Sequence, residues 1–437
     1  MMQIVEKIIA QAEAMQPEMV AQRRDFHKYA ESGWFEMRTS SIIARKLTDM
    51  GYEVLVGEDV CDRDARMGVA SQEVLDAQYQ RAVEQGGDPE FLPYTKGGMT
   101  GAIGILRCGE GPTVALRFDI DALGVIESQE ADHRPFAEGW ASVNPGMMHS
   151  CGHDGHATVG LGVAKVLMDM KDQLHGTVKL IFQPAEEGVR GAKAIVDKGH
   201  LEGVDFVLGT HVTNNAKYPD VIAVAGSYGS FATTKYDVTF HGKSAHAGGA
   251  PNKGDNAMLA AATAVLNLQA IPRHQDGASR INVGKLVAGS GRNVVCDEAF
   301  MEIEVRGATS EVNQYVSDYA IRILESAAAM HGCTVEYKVM GAAESLASDE
   351  ALALRMQKFW KEDCGFAISD QLMMVLSGSE DYSYMMNAVQ KQGGQALFFR
   401  ALTECYAGSH NRRFDFEESF LKNGVKLFCT AVYDLMK

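Results

Sequence analysis

Short apolar runs rich in β-forming residues alternate with helical patterns in the first half of the chain, and this alternation most limits the folds open to it. Residues 113–118 (TVALRF), 177–183 (TVKLIFQ) and 205–211 (DFVLGTH) predict strands, and residues 155–170 predict a helix between the first two. Two further helical patterns open the chain, and the second ends at Gly51. We therefore predict an α/β domain with a mostly parallel sheet flanked by helices.

A different order of elements follows between residues 231 and 340. The patterns there run strand, helix, strand, strand, helix, strand, which is typical of a ferredoxin-like (βαββαβ) unit. We predict that residues 229–340 form a domain inserted into a first domain made of residues 1–228 and 341–437. The polar stretch 57–100 predicts a helix-bearing insertion within that first domain.

Charge and cysteine usage exclude several classes of function. The chain has 41 Lys and Arg against 57 Asp and Glu, a formal net charge of −16, which disfavours nucleic acids and anionic membranes as partners. The first twenty residues carry three glutamates and lack an apolar signal region, and no run approaches the roughly 18 apolar residues of a spanning helix. We expect a cytoplasmic protein whose eight scattered cysteines are reduced thiols.

The densest chemical signal is the segment 149–156 (HSCGHDGH), which holds three histidines, a thiol and a carboxylate. Cys151 and His153 form a C-x-H pair, so that a thiolate and an imidazole, both good ligands of zinc-like ions, converge on one point. The alternative is a buried structural cysteine beside histidines that cap a helix.

Further candidate ligands stand at the ends of predicted strands. Glu186 and Glu187 leave the strand TVKLIFQ, His211 ends the strand DFVLGTH, and His410 lies in the turn AGSHN. Taken singly, each is more often a solvated or structural residue. Together with Cys151 they suit two metal ions about 3.5–4 Å apart and leave one glutamate free to act as a base. The residues alone do not say which glutamate that is.

The motifs CGHDGH, FQPAEEG, GTH, SAHAG and AGSHN, in this order, resemble those of the aminoacylase and IAA-amino acid hydrolase family of dinuclear metallopeptidases. The resemblance spans nearly the whole chain. It implies a catalytic metal-binding domain, an inserted lid and dimerisation domain, and Glu186 as the general base. It also implies five metal ligands, with the thiolate between the two ions: Cys151, His153, Glu187, His211 and His410.

The same resemblance implies supporting roles for other residues. His246 would be presented to a partner subunit's active site, where it stabilises the oxyanion. Asp119 and Asp121 would orient a ligating histidine. Arginine and amide groups would hold the carboxylate end of the substrate: Arg292, Asn293 and Arg306. The sequence departs from the family's usual pattern at Ile120, Gly124 and Cys296.

As function, the resemblance implies cleavage of p-aminobenzoyl-glutamate to p-aminobenzoate and glutamate. It implies a heterodimer with a homologous second subunit, and a homodimer of this chain is the alternative. Other N-acyl amino acids, such as hippurate or IAA conjugates, are alternative substrates. Softness of the ligands favours Zn²⁺, whereas the resemblance points to Mn²⁺.

Three other readings of the sequence are weaker. A Cys151 nucleophile would leave the Glu-Glu and His410 motifs without a task, and papain-like and caspase-like signatures are absent. A non-catalytic scaffold subunit is disfavoured because every predicted ligand position and the base are present in the sequence. The glycines at 97, 98, 101 and 104 form neither G-x-G-x-x-G nor a P-loop, which disfavours nucleotide binding.

Overall fold

The computed structural model describes residues 2–437, which divide into two compact units. The first unit runs to Tyr228 and also contains Leu346–Val375 and Asp381–Lys437. The second comprises Gly229–Ser345 and Leu376–Glu380. The roles of the two units as catalytic domain and lid stay predictions.

The first unit is built from helices around one large sheet. Its helices are α1 (Met2–Lys28), α2 (Met37–Asp49), α3 (Gln72–Glu84), α4 (Arg134–Ala137), α5 (His153–Asp169), α6 (Ala192–Asp197), α9 (Glu350–Lys358), α10 (Ser383–Lys391) and α11 (Ser419–Met436). Its strands are β1 (Glu53–Val56), β2 (Ala102–Arg107), β3 (Thr113–Asp119), β4 (Thr177–Gln183), β5 (Phe206–Asn214), β6 (Ala223–Val224), β7 (Gly226–Tyr228), β12 (Met373–Val375) and β13 (Gln395–Thr403). Helix α3 lies inside the polar stretch 57–100.

Across the described residues, the large sheet has the strand order β1-β2-β4-β3-β5-β13-β6. The four central strands, β4, β3, β5 and β13, pair in parallel, whereas β1, β2 and β6 pair antiparallel at the two sides. Strands β7 and β12 form a separate small parallel pair. The α/β fold predicted from the sequence is confirmed, and its parallel part is the four central strands.

Helix α5 is buried along most of its length, because it lies between the sheet and helices α1 and α11. Glycine allows this close packing at Gly160. A Cβ atom there would lie 2.6 Å from Phe182 and 2.8 Å from Phe118, both of which project from the sheet. The glycine therefore brings α5 close to strands β3 and β4 and completes the main core.

The second unit contains β8 (Ala232–His241), α7 (Ala257–Gln269), β9 (Ser279–Ala288), β10 (Glu298–Gly307), α8 (Ser310–Met330) and β11 (Thr334–Ala343). Its antiparallel sheet has the order β11-β8-β10-β9, which is the ferredoxin-like order. Side chains of Asn256 and Thr309 accept backbone N–H groups at the starts of α7 and α8. No helix within residues 2–437 is both long and apolar enough to cross a membrane.

A buried network of charges attaches α1 to the start of α5. Asp154 accepts hydrogen bonds from Arg23 Nε at 3.1 Å and from His27 Nδ1 at 2.9 Å. The second ring nitrogen of His27 lies 2.9 Å from the Glu127 carboxylate. Burial alone lowers the pKa of His27, but its two carboxylate partners outweigh burial and raise that pKa to about 9. The imidazole is therefore charged at neutral pH and holds three segments of the chain together.

This network predicts a loss of stability in mild alkali. The pKa of His27 is about 6.5 in the unfolded chain and about 9 in the folded one, so its contribution is complete below pH 6.5 and lost as the pH rises towards 9. We expect the free energy of unfolding to fall by up to about 3 kcal/mol over that window. Urea unfolding at several pH values measures the slope. A His27→Gln variant should lack most of it, whereas His331→Gln in the second unit should keep it.

Candidate active site

The chemistry-bearing residues stand at the edge where the central strands end. Asp119 is the last residue of β3 and pairs with Gln183, the last residue of β4, which the turn with both glutamates follows. His211 lies in the second half of β5, and His410 lies in the loop after β13. Parallel strands bring their carboxyl ends to one edge, where α/β folds bind their ligands. The sheet topology thus collects these segments in one place.

The five predicted metal ligands form one cluster. Cys151 Sγ lies 3.3 Å from His211 Nε2, and His410 Nε2 lies 3.4 Å from Glu187 Oε1. Ligand atoms of Cys151, His153 and His211 all lie within 4.8 Å of one another, as do those of Cys151, Glu187 and His410. Because Cys151 belongs to both triplets, the arrangement suits two cations with the sulfur between them.

A single glycine permits the approach of Cys151 to β5. Gly152 has a φ of +89°, which favours glycine, and a Cβ atom there would lie 2.6 Å from Val212. Any other residue would push the Cys151–His153 segment away from the strand that carries His211.

Hydrogen bonds to backbone carbonyls orient the rings of two predicted ligand histidines. Nδ1 of His153 lies 2.9 Å from the carbonyl oxygen of Asp121, and Nδ1 of His211 lies 2.7 Å from that of Val212. A carbonyl only accepts, so each Nδ1 carries a proton, and in the neutral ring that a metal requires, Nε2 is the nitrogen that presents its lone pair. Burial, aided by the neighbouring His156, lowers the pKa of His211 well below its ordinary value and keeps the ring neutral.

The donor set fits divalent cations. Within residues 2–437, the buried atom His153 Nε2 has no hydrogen-bond partner, although it lies beside the cluster. Buried polar atoms are rarely left in that state unless another group satisfies them. Sulfur, imidazole nitrogen and carboxylate oxygen are together the ligands of zinc-like and manganese-like ions.

Asp121 supports the turn that carries the two glutamates. Its Oδ1 accepts the backbone N–H of Glu186 at 3.1 Å, and its Oδ2 accepts that of Glu187 at 2.9 Å. Its own carbonyl accepts from His153. The Glu186 carboxylate then lies 4.0 Å from His153 Nε2 and is 8% exposed, so it faces the cluster with limited access to water.

His156 lies beside the cluster, although neither its motif nor the family resemblance assigned it a role. Its Nδ1 contacts Asp119, and its Nε2 accepts the N–H of Val212 at 2.9 Å, directly beside His211. Although burial opposes it, Arg117 and the histidines hold the pKa of Asp119 well below its ordinary value. The ionised Asp119 therefore orients His156. The spacing of His156 three residues after His153 on α5 was the available signal, because such residues share a helix face.

The predicted residues of the second unit fall into two places. His246 is exposed, and its Nδ1 accepts the N–H groups of Gly248 and Gly249 at 3.1 and 3.0 Å, which leaves Nε2–H as a donor. The Ala247 N–H donates to the Asn293 carbonyl, so the loop with Arg292 and Asn293 lies beside that of His246.

Arg306 lies elsewhere in the second unit. It pairs with Thr233 near the start of β8, and His241 at the other end of that strand lies roughly 26 Å away. The chain continues from there away from Arg306 towards His246, because residues 242–245 still pair with residues 295–297 before β10. Its guanidinium forms an ion pair with Glu304 at 3.0 Å. Within this unit Arg306 therefore does not share a site with His246, and its substrate role stays a prediction.

The surroundings of Cys151 disfavour a cysteine nucleophile. A reactive cysteine needs a lowered thiol pKa. Burial, followed by the Glu187 carboxylate, instead raises the pKa of the Cys151 thiol. A metal-ligand role has no such conflict, because a cation at the sulfur favours the thiolate.

Fold and site together define a metal-dependent hydrolase with an α/β unit. Residues 115–434 match the family model described as Peptidase family M20/M25/M40. The chain is 46% identical over 411 residues to the indole-3-acetyl-aspartic acid hydrolase of Enterobacter agglomerans, and 43% identical over 414 residues to one subunit of the p-aminobenzoyl-glutamate hydrolase of Escherichia coli. Each alignment covers 94% of both chains.

A solved structure shows the same likeness. The crystal structure of an aminobenzoyl-glutamate utilization protein from Klebsiella pneumoniae matches with a TM-score of 0.83 at 38% identity, over 97% of each chain. The chain therefore belongs to Peptidase family M20/M25/M40. The predicted reaction class, metal-dependent amide hydrolysis, is confirmed.

The contacts of His156 predict a role in metal affinity. A His156→Ala variant should bind Mn²⁺ or Zn²⁺ about 10- to 100-fold more weakly, because the backbone beside His211 loses its support. Competition with a chelating dye measures the affinity. His200→Ala, which removes only a bond to the Asp59 carbonyl, is the control and should bind metal normally. Equal affinities in the two variants would contradict the assignment.

Proposed function

We propose that this chain hydrolyses the amide bond of p-aminobenzoyl-glutamate, releasing p-aminobenzoate and glutamate. The observation that carries the proposal is the position of Glu186 within 4.8 Å of both His153 and Glu187, at the edge of the cluster of predicted metal ligands. A base beside candidate ligands is the arrangement that amide hydrolysis by water requires.

The substrate class is supported by the names of two relatives. One is a hydrolase of indole-3-acetyl-aspartic acid and the other of p-aminobenzoyl-glutamate. Both names describe an aromatic acyl group joined to an acidic amino acid. The identities, 46% and 43%, are too close to separate the two substrates, so indole-3-acetyl-aspartate is the second candidate.

Five residues would hold two divalent cations, Mn²⁺ or Zn²⁺: Cys151, His153, Glu187, His211 and His410. Such cations polarise an amide carbonyl and lower the pKa of water. Glu186 takes a proton from the attacking water as the new C–O bond forms. It then delivers that proton to the amine nitrogen as the C–N bond breaks, so the carboxylate is restored.

His246 is suited to stabilise the oxyanion from a partner subunit. Its Nδ1 is already occupied by two backbone N–H groups, so Nε2–H is the group it can donate. Arg292 and Asn293, on the adjoining loop, are suited to bind the carboxylates of the amino acid. Arginine donors matter here because the net charge of −16 repels an anionic substrate.

The proposal predicts different defects for the two adjacent glutamates. Glu186→Gln should lower kcat by about 10²- to 10⁴-fold and keep metal affinity, because it removes only the base. Glu187→Gln should weaken metal binding itself. Release of p-aminobenzoate by metal-stripped and reloaded protein measures activity, and dye competition measures affinity. Full activity without metal, or in Glu186→Gln, would overturn the mechanism.

The second unit has a surface suited to dimer formation. Strand β9 lies at the edge of its sheet, and Leu286 and Val287 near its end are exposed, Val287 by 57%. Helix α7 packs against β9 and exposes Leu259 and Leu266, which lie seven residues apart and thus on one helix face. An unpaired edge strand beside exposed leucines is a natural pairing surface. We propose that the dimer, with a homologous second subunit or another copy, forms here.

Charged substitutions on this surface should separate the subunits. Val287→Glu and Leu266→Glu are expected to shift the molar mass measured by light scattering from dimer to monomer, because each buries a charge in the interface. The chain is tested alone and with a homologous partner. Leu354→Glu, an exposed leucine of the first unit, is the control and should leave the mass unchanged.

A further inference from the structure

The insertion 57–100 has no task in the mechanism above, yet it is bonded to the turn that carries the two glutamates. This turn, residues 184–191, has an unusual backbone. Ala185 and Val189 have φ values of +52° and +61°, in the left-handed region that disfavours residues other than glycine. Such a conformation persists only when the surrounding structure fixes it firmly. The contacts that fix this turn therefore decide where Glu186 and Glu187 lie.

The first contact passes through Glu36, which is fully buried. Its Oε1 accepts the N–H of Ala185 at 2.7 Å, the residue directly before Glu186. Its Oε2 accepts the hydroxyl of Thr100 at 2.8 Å. Thr100, the last residue of the insertion, is also fully buried. The insertion thus orients the carboxyl group that holds the start of the turn.

The second contact passes through Arg190 at the other end of the turn. Its Nε donates to the Glu187 carbonyl at 2.9 Å, and its Nη1 donates to the Gly68 carbonyl of the insertion at 3.2 Å. Gly33 lies beneath both ends, since a Cβ atom there would lie 2.3 Å from Arg190 Nη2 and 3.0 Å from Ala185 Cα. The turn is therefore enclosed tightly on this side.

The insertion is itself anchored close to the turn. The Trp34 indole N–H donates to the Met67 carbonyl at 2.7 Å, one residue before Gly68. Arg66 donates to the carbonyls of Gly97 and Gly98 at 2.8 and 2.9 Å, which ties the two ends of the insertion together. Gly68 and Thr100 are thus held by one connected set of bonds.

We propose that the insertion 57–100 is a clamp on the glutamate turn, with Glu36 and Arg190 as the positioning residues through which it acts. The inference rests on the proposed function, in which Glu186 is the base and Glu187 a metal ligand. Glu36 and Arg190 bond to the backbone of the turn and not to the side chains of the predicted metal ligands. The clamp sets the position of the turn. Its loss should therefore weaken metal binding and lower kcat, and leave KM nearly unaltered.

The test compares variants that loosen the clamp with matched variants elsewhere in the first unit. Glu36→Ala and Arg190→Met should weaken Mn²⁺ or Zn²⁺ binding, measured by dye competition, by about 10- to 100-fold. They should lower kcat and change KM by less than about threefold, because the clamp is not expected to take part in substrate binding itself. Glu36→Gln should rescue both, because an amide oxygen still accepts from Ala185 and an amide N–H can donate to the Thr100 hydroxyl.

The controls are a buried glutamate and a paired arginine that do not touch the turn. Glu31 is as buried as Glu36 and holds the N–H groups of Arg38 and Thr39, and Arg355 pairs with Asp434. Glu31→Ala and Arg355→Met should lose stability while their metal affinity and kcat stay within about threefold of the wild type. If the controls lose as much metal affinity as the clamp variants, or the clamp variants lose none, the proposal is wrong.

Two further measurements cover the cases in which a variant does not fold or the proposed substrate is wrong. Thr100→Val removes only the hydroxyl that orients Glu36, so it should give a smaller change in the same direction should Glu36→Ala fail to fold. Metal affinity is measured without substrate. Failure of the wild type to cleave p-aminobenzoyl-glutamate would therefore discard the proposed substrate, while the affinities would still decide the clamp.

Discussion

The parallel pairing of β4, β3, β5 and β13 is the constraint on which the rest of the structure depends. Parallel strands end at one edge, and each of these strands delivers a different chemical group there. Asp119 and Asp121 follow β3, the glutamates follow β4, His211 lies on β5 and His410 follows β13. An antiparallel arrangement would have sent half of these groups to the opposite edge. The site is therefore a direct product of the topology.

Buried carboxylates then fix the backbone at that edge. Glu36, Asp121 and Asp381 together accept five backbone N–H groups of the turn and of the start of α6, those of residues 185–187 and 191–192. Burial of a carboxyl group is costly unless its oxygens accept hydrogen bonds. The cost is visible at Glu36, where burial, with the nearby charge of Asp121, raises the pKa to about 8. Some acidic residues of the chain thus hold the backbone in place, in addition to contributing to the net negative charge.

Much of the architecture was open to prediction because the relevant signals are local. The spacing of apolar and turn residues predicted the strands TVALRF and TVKLIFQ, the βαββαβ order and a helix over residues 155–170, which in the structure is His153–Asp169. The antiparallel pairing of β1 and β2 was not predicted, because strands at the sides of a sheet give the same local pattern in either direction. Pairing direction depends on contacts between distant segments.

The sequence by itself determined the kinds of candidate ligand and their order along the chain. Through the family resemblance it also gave the expectation that Glu186 is the base and Glu187 a metal ligand. Only the tertiary structure showed that Cys151 is shared by two triplets and that His156 accepts the backbone N–H beside His211. It also showed that residues 57–100 bond to Glu36 and Arg190, which in turn bond to the glutamate turn. The reason is physical. Residue type and spacing fix which atoms can bind or donate, whereas contacts such as that of Glu36 with Ala185 join residues 149 positions apart and exist only once the chain is packed.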